Sequence, residues 1–496
     1  MSIGFLVVGS LFFYGWWEPV YLLLIVSSII FNYSIAQLII RQRARNAQTM
    51  LYLVVGICGN LFALGFFKYS NFFLETFGAV SGASFSTVSI VLPLAISFYT
   101  FQQIAFLVDV YARKAEETDL LTYSLFVTFF PQLIAGPIVH HREMMGQFKT
   151  APPMNGQLLN NLAVGSTIIA IGLFKKVVLS EKMAFWSDRV FSTAALGTDP
   201  TFIEAWIGVL AFTFQIYFDF SGYSDIAIGL ARLFNIRLPL NFDAPYKSRN
   251  IVEFWRKWHM TLSRFLRDYV YFPLGGNRKG GGRRYLNLMI VMGLGGLWHG
   301  AGWTFVLWGL AHGAFLTINH FWHRVLRALG LSDRVEASKL ASAAGLVLTF
   351  VCVALTWTLF RAESMMGVES MFRALVAFNQ IVLPHHYQAA LSSLTPVLDA
   401  LGVVYGSVPL YGGAMQLLWL AGALMFVWFF PTTQELMHKF EPALDFKSHG
   451  SPRVFGVAIW AWRPSLLLGI VVGGVTLSII LKLLAGQSGE FIYFQF

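Results

Sequence analysis

His299 stands between Trp298 and Gly300 in a stretch, Leu286 to Trp303, where Gly293, Gly295, Gly296, Gly300 and Gly302 interrupt an otherwise apolar run. An ionisable side chain carried that deep into apolar sequence is costly to bury, which makes it a functional candidate. Imidazole titrates at about pH 6.5, so a modest environmental shift lets it accept a proton from a hydroxyl at neutral pH, the task of a general base. Trp298 and Trp303 on either side are expected to keep water from it. The competing reading is a neutral histidine held by hydrogen bonds inside a helix bundle.

The stretch IVEFWRKWHMTLSRFLRDYVYFPL, from Ile251 to Leu274, places Phe254, Trp258, Leu262, Phe265, Leu266 and Tyr269 near one helical face. Arg256, Lys257, Arg264 and Arg267 fall mostly elsewhere, the pattern of a helix lying along the cytoplasmic membrane surface. These four cations read either as a surface anchor or as partners for a phosphate-bearing donor, such as coenzyme A or the arm of a carrier protein. His259, beside Trp258, is the second candidate histidine, because a plain anchor has no need of imidazole there; a snorkelling surface histidine is the alternative. Pro273 to Arg284 follows with five glycines and four basic residues, but without the spacing of a phosphate-binding loop, and reads as a flexible connection.

Asp219 and Asp225 lie six residues apart beside an apolar run and raise the thought of a metal or a proton relay. No histidine follows at ligand spacing, so pairing with arginines such as Arg249 or Arg256 is the expectation, and no metal site is predicted. His140, His141, His385, His386 and His438 fall in loops. Cys58 and Cys352 sit far apart in apolar runs, which gives neither a disulfide framework nor a thiolate cluster. With no G-x-S-x-G motif and no basic neighbour to either cysteine, a covalent intermediate on serine or cysteine is not expected.

The elements that must position these groups are membrane helices. Of 496 residues 12% are charged and 56% hydrophobic, and the mean hydropathy is +0.62, so water is not the main solvent. Apolar stretches run roughly at 4–13, 19–40, 51–67, 86–108, 120–139, 160–179, 202–218, 303–321, 339–360, 415–431 and 464–484, about eleven in all. The N-terminus lacks both a positive leader and a small-residue cleavage site before Trp16, and reads as retained helix. The net charge of +10 has its explanation in basic loops beside anionic lipid, and nucleic acid is not an expected partner. Basic clusters at 41–45, 175–182, 247–284, 324–334 and 439–463 are placed in the cytoplasm. The alternation closes if 202–234 and 286–321 are hairpins, leaving 361–414 and the C-terminus outside. Two stretches break the spanning pattern, 130–137 and 286–303, and irregular backbone at membrane depth needs protein or a wet cavity around it. A helix over 286–297 would be only about 18 Å long and would end within a core of about 30 Å, presenting His299 at its tip. No repeat or linker divides the chain, so 1–496 reads as one domain with its motif-bearing core at about 130–321.

Three stretches carry a resemblance: PQLIAGPIVHHREM at 131–144, FQIYFDFSGYSDIAIGLARLFNIRLPLNFDAPYKSRNIVEFWRKWHMTLSRFLRDYVYFPLGGNRKG at 214–280, and GGLWHGAGWTFVLWGLAHG at 295–313, with FIYFQF at 491–496. Together they resemble the membrane-bound O-acyltransferase family in its bacterial, alginate O-acetylase-like branch. The resemblance implies an all-α polytopic fold, with a ring of transmembrane helices around a central funnel, in the bacterial inner membrane. It implies His299 as the catalytic histidine, His259 as the second, and an acyl thioester such as acetyl-CoA as donor substrate rather than a bound cofactor. It also implies O-acetylation of an extracytoplasmic polysaccharide such as alginate or cellulose, with polysaccharide synthesis machinery and an SGNH-type transferase as partners. Relatives usually carry Arg or Lys after the first histidine of PQLIAGPIVH; here His141 intervenes before Arg142. D-alanyl transfer towards teichoic acid is the alternative within the family. A polysaccharide or lipid transporter is the alternative outside it, though such a protein would favour paired broken helices in two halves, and no halves are visible.

Overall fold

The structure, a computed structural model, describes residues 3–87, 90–115, 119–134, 136–150, 158–377, 381–444, 446, 450–459, 461–486 and 492. Its principal helices are α1 (Ile3–Trp17), α2 (Val20–Ala44), α3 (Met50–Ser81), α4 (Ile96–Tyr111), α5 (Leu120–Thr128), α6 (His141–Thr150), α7 (Leu158–Ala195) and α8 (Phe202–Leu233). They continue with α9 (Ile251–Lys257), α10 (Met260–Leu266), α11 (Gly280–His299), α12 (Trp303–Ala328), α13 (Lys339–Arg361), α14 (Met365–Leu375), α15 (Ala414–Phe429) and α16 (Leu466–Leu484). Two short ladders interrupt the helices, one parallel between Ile381–Pro384 and Val403–Gly406, the other antiparallel between Arg453–Val454 and Val457–Ala458. Among the described residues, α2, α3, α7, α8, α13 and α16 are long and apolar enough to cross a membrane, and α1 and α15 are shorter apolar helices. The chain is a multi-pass membrane protein.

The centre of the bundle is α8, which differs from the expected hairpin over 202–234: it is one helix of 32 residues. Its start is fixed by a capping box, in which Thr201 Oγ1 accepts from Glu204 N–H while Glu204 Oε2 accepts from Thr201 N–H at 3.0 Å. No proline interrupts the run that follows. Gly222 lets α7 come close, since a Cβ there would lie 2.8 Å from the Gly172 carbonyl oxygen. Across this contact Lys175 Nζ lies 2.6 Å from Asp225 Oδ2, and Lys176 Nζ 2.5 Å from Asp219 Oδ1. Both aspartates are buried, and their partners are these lysines rather than Arg249 or Arg256. Lys175 and Lys176 therefore sit inside the rod of α7, in its π turn Lys175–Ser180, and not in a cytoplasmic loop. Asp225 also accepts from Thr433 Oγ1 and Gln434 Nε2, and Asp219 accepts from Ile492 N–H at 3.1 Å, the one described residue of the 491–496 stretch. With those hydrogen bonds the pairs are satisfied; removing one partner would leave a buried charge and cost about 3–5 kcal/mol.

The segment 120–139 does not cross the bundle. After α5 and the single turn Phe130–Leu133 the chain doubles back, and the Arg142 guanidinium donates to the Lys114 carbonyl at 2.7 and 3.0 Å. Pro131 lacks the donor that would continue α5, and the tip packs near α1, where Ser10 Oγ accepts from Phe130 N–H at 3.2 Å. Entry and exit of this re-entrant segment thus share one end of the molecule. At that end the Arg43 guanidinium donates to the carbonyls of Val110 and Tyr111, so the basic turn after α2 lies there too. At the opposite end Arg361 pairs with Asp188 at 2.9 Å and Arg373 with Asp199 at 3.0 Å.

Candidate active site

The expected amphipathic surface helix over 251–274 is two short helices broken at Trp258–His259. His259 has φ of 42°, in the left-handed region that a residue with a Cβ enters only under constraint. The constraint is the irregular segment before α9: Lys257 O accepts from Asp243 N–H at 3.0 Å, and Asn241 O accepts from Met260 N–H at 3.0 Å. The break turns Trp258 and His259 inward, where both are buried, so neither lies on the membrane surface.

Asn241 Oδ1 is the hub of this turn. It accepts from Thr261 N–H at 3.3 Å and Thr261 Oγ1–H at 2.9 Å, and it lies 3.1 Å from His259 Nδ1. An acceptor in that position fixes the proton on Nδ1 and leaves Nε2 as a bare lone pair. No described residue hydrogen-bonds His259 Nε2. Burial pushes the imidazole down to about 3, so it stays neutral at physiological pH. Thr261 Oγ1 also accepts from Ile138 N–H at 2.9 Å, which docks the re-entrant segment onto the same turn.

His299 ends α11. That helix starts at Gly280, within what reads as a flexible loop, and has 20 residues rather than 12. It ends at His299, two residues beyond the expected Leu297, where Gly300 to Gly302 turn the chain into α12. The two helices pack as a tight hairpin: a Cβ at Gly296 would lie 2.2 Å from the Phe305 carbonyl oxygen, and one at Gly309 2.1 Å from that of Met292. The orphan carbonyls of the α11 terminus are met by α3, where a π turn aims Lys68 and Tyr69 across the bundle. Lys68 Nζ donates to Trp298 O at 2.7 Å and His299 O at 3.0 Å, and Tyr69 Oη donates to Leu297 O at 2.9 Å. The buried His299 ring lies edge-on to Trp308 and Phe360, with centroids at 5.1 and 5.3 Å. Trp298 packs against Phe98 and Phe101, whereas Trp303, 53% exposed, does not wall the histidine as expected; Trp308 does.

The two candidate histidines meet. Their ring centroids are 6.3 Å apart, and Trp298 touches both. A third buried histidine stands behind Trp308: His312 Nδ1 accepts from Trp255 Nε1 at 3.3 Å, and its Nε2 lies 2.9 Å from Thr356 Oγ1. With both nitrogens bonded, His312 is a support for the wall. Three supports escape sequence reading. Lys68 carries a usable signal, a cation inside an apolar run, while Asn241 and His312 acquire theirs only through the fold.

Beside the His259 turn a cavity of about 580 Å³ opens, lined by Arg256, Arg264, Arg267 and Arg284 with Met260 and Thr261. Three of the four cations singled out in the sequence meet there. Lys257 does not; it pairs with Glu253 at 2.9 Å on its own helix. Arg264 is held by Glu143 of α6. A larger cavity of about 800 Å³, between Ile171, Leu468 and the 436–465 segment, contains none of these residues. Guanidinium groups around a cleft suit a phosphate-bearing ligand, and an imidazole pair in an aromatic enclosure suits proton transfer away from bulk water.

Residues 110–360 match the family profile described as MBOAT, membrane-bound O-acyltransferase family. The chain is 45% identical over 421 residues to a peptidoglycan O-acetyltransferase of Helicobacter pylori, covering 79% of this chain and 77% of that one. It is 38% identical over 413 residues to a protein of Azotobacter vinelandii named as a probable alginate O-acetylase, covering 82% and 79%. A teichoic acid D-alanyltransferase of Streptococcus thermophilus is 29% identical over 293 residues, 55% of this chain and 69% of the other. Family profile, relatives and a helical membrane fold agree: the chain belongs to the membrane-bound O-acyltransferase family and is an O-acyltransferase.

Proposed function

We propose that the protein moves an acetyl group from a cytoplasmic thioester to an extracytoplasmic polysaccharide of a bacterial inner membrane, through an SGNH-type partner. The observation that carries this reading is the pairing of the buried His259 and His299 rings beside a cleft of arginines. Arg256, Arg264 and Arg267 hold the phosphates of the donor, coenzyme A or a carrier arm. An acceptor hydroxyl enters towards His299, which takes its proton as the oxygen attacks the thioester carbonyl; the C–S bond breaks and the thiolate leaves. His259 supports that transfer, because its bare Nε2 can accept from the imidazolium that forms on His299. A polymer chain is too bulky to reach a histidine enclosed by Trp298, Trp308 and Phe360, which favours a slender hydroxyl-bearing segment of the partner as first acceptor. Acetyl is favoured over D-alanyl by the higher identity and coverage of the relatives named as O-acetyl enzymes.

One experiment tests both parts. Purified wild-type and His299→Ala enzymes receive a labelled acetyl thioester, with and without the SGNH partner and polymer. The expected outcome is polymer labelling by the wild type only when the partner is present, and none by His299→Ala at equal protein. Labelling by the variant would sink the base, and labelling by the lone wild type would sink the relay.

A further inference from the structure

The re-entrant segment returns to the bundle at His140 and His141, and there it meets the end of α4. His140 Nε2 lies 2.6 Å from Asp109 Oδ2, and His141 Nδ1 lies 3.7 Å from the same oxygen. All three ligand atoms fall within 4.8 Å of one another. Tyr269 Oη donates to Asp109 Oδ2 at 2.8 Å and lies 3.0 Å from His140 Nε2. Asp109 and His141 are buried, and His140 keeps a partly open edge at 23% exposure.

A hydrogen-bonded Asp–His–Tyr triad accounts for Asp109, His140 and Tyr269. It leaves His141 unexplained. Both of its ring nitrogens are buried and neither makes a hydrogen bond of good geometry among the described residues; its polar neighbours are only the Lys114 backbone and Asp109 Oδ2 at 3.7 Å, although a buried imidazole ordinarily finds a full partner. We propose that Asp109, His140 and His141 bind one divalent cation of the zinc class. Two neutral imidazoles and one carboxylate are a donor set such ions favour, with water completing the tetrahedron. Metal–ligand bonds of about 2.0–2.2 Å put neighbouring ligand atoms of a tetrahedron about 3.3 Å apart, between the two separations found here. The third separation, between the two imidazoles, is within 4.8 Å, so an ion would draw all three atoms to that spacing by side-chain adjustment. The Tyr269 hydroxyl then holds the ligating carboxylate, as outer partners of metal sites do. The cost is one long contact: Arg142 N–H donates to His140 Nδ1 at 3.4 Å, and a neutral ring that binds metal through Nε2 carries its proton on Nδ1.

Such an ion ties three elements at one end of the molecule: the end of α4, the return of the re-entrant segment, and the turn after α10. Its reach extends to the donor cleft, because Glu143, two residues beyond His141, grips Arg264. The ion is thus a staple for the arginine wall, separate from the histidine pair.

The test uses the full chain, purified in detergent with a tag that contains no histidine. Wild-type protein is stripped with a chelator, then titrated with zinc or cobalt. We expect uptake of about one ion per chain, a rise in melting temperature on zinc addition, and a tetrahedral cobalt absorption in the visible. His141→Ala and Asp109→Asn should lose the cobalt signal, while Tyr269→Phe keeps it. The stripped wild type, which needs no substitution to fold, decides the matter: failure to take up either ion, with an unchanged melting temperature, overturns the site. So would an unaltered cobalt spectrum in a folded His141→Ala.

Discussion

At the scale of single residues, His259 is set by its neighbours more than by its own sequence. Asn241 accepts from Nδ1 and the left-handed turn aims the ring inward, so the nitrogen that faces the interior carries a lone pair. A histidine neutral in the folded protein makes a sign-definite prediction about pH. Its pKa of about 3 lies below the ordinary value of about 6.5, so below about pH 6.5 the unfolded chain binds a proton that the folded chain refuses. The stability it contributes is therefore complete above about pH 6.5 and is lost as pH falls towards 3. Between pH 7 and 5 the loss from this group is about 2 kcal/mol. We expect the melting temperature of the purified protein to fall over that interval, and His259→Gln to make the fall shallower while lowering acetyl transfer. An equally steep fall in the variant would show that His259 is already solvated and charged.

At the scale of elements, some boundaries were legible and others were hidden for physical reasons. The glycines after Trp298 end α11 at His299, two residues past the expected Leu297, since Gly300 and Gly302 are extended and the hairpin tolerates no Cβ at Gly296. The start of α11 was misread because three glycines and two arginines resemble a loop, yet Gly280 to Arg284 are helical beneath the Arg324 side chain. Periodicity over 251–274 suggested one surface helix because hydrophobic spacing cannot reveal a break imposed from Asn241 and Asp243. The pairing of Asp219 and Asp225 with lysines was equally hidden, since it depends on α7 running alongside α8. Of Arg256, Lys257, Arg264 and Arg267, three line the cleft, while Lys257 lies outside it and pairs with Glu253. That division gives a paired prediction on adjacent residues. Arg256→Ala should raise the KM for the thioester donor about tenfold, as expected for one charge-assisted hydrogen bond, with kcat little changed. Lys257→Ala should leave KM where it is. Steady-state kinetics with a saturating acceptor measure both, and equal effects would return these cations to the role of a surface anchor.

At the scale of the whole molecule, two departures from the sequence reading compensate. The chain crosses once at α8 where two crossings were expected, and 120–139 returns to its starting end where one was expected. Parity is therefore preserved. The long helices then carry 247–284 and 439–463 to the end where Arg43 meets α4, and carry 361–414 to the end where Arg361 and Arg373 find Asp188 and Asp199. The basic loops gather at the first of these ends, as expected of a cytoplasmic face. Consistent with this, Glu441 pairs with Arg237, and Lys247 Nζ donates to the Phe430 carbonyl at 2.7 Å, so loops far apart in sequence share that side. The orientation is open to a direct check with single cysteines at Lys279 and Gln388, both exposed. Cys58 and Cys352 would first be replaced, because Cys58 is itself exposed on α3. In intact cells a membrane-impermeant thiol reagent should label Gln388→Cys and spare Lys279→Cys, which becomes reactive only after the membrane is opened. Labelling of both in intact cells would break the parity argument, and the reverse pattern would invert the molecule, placing the arginine cleft outside, away from any cytoplasmic thioester.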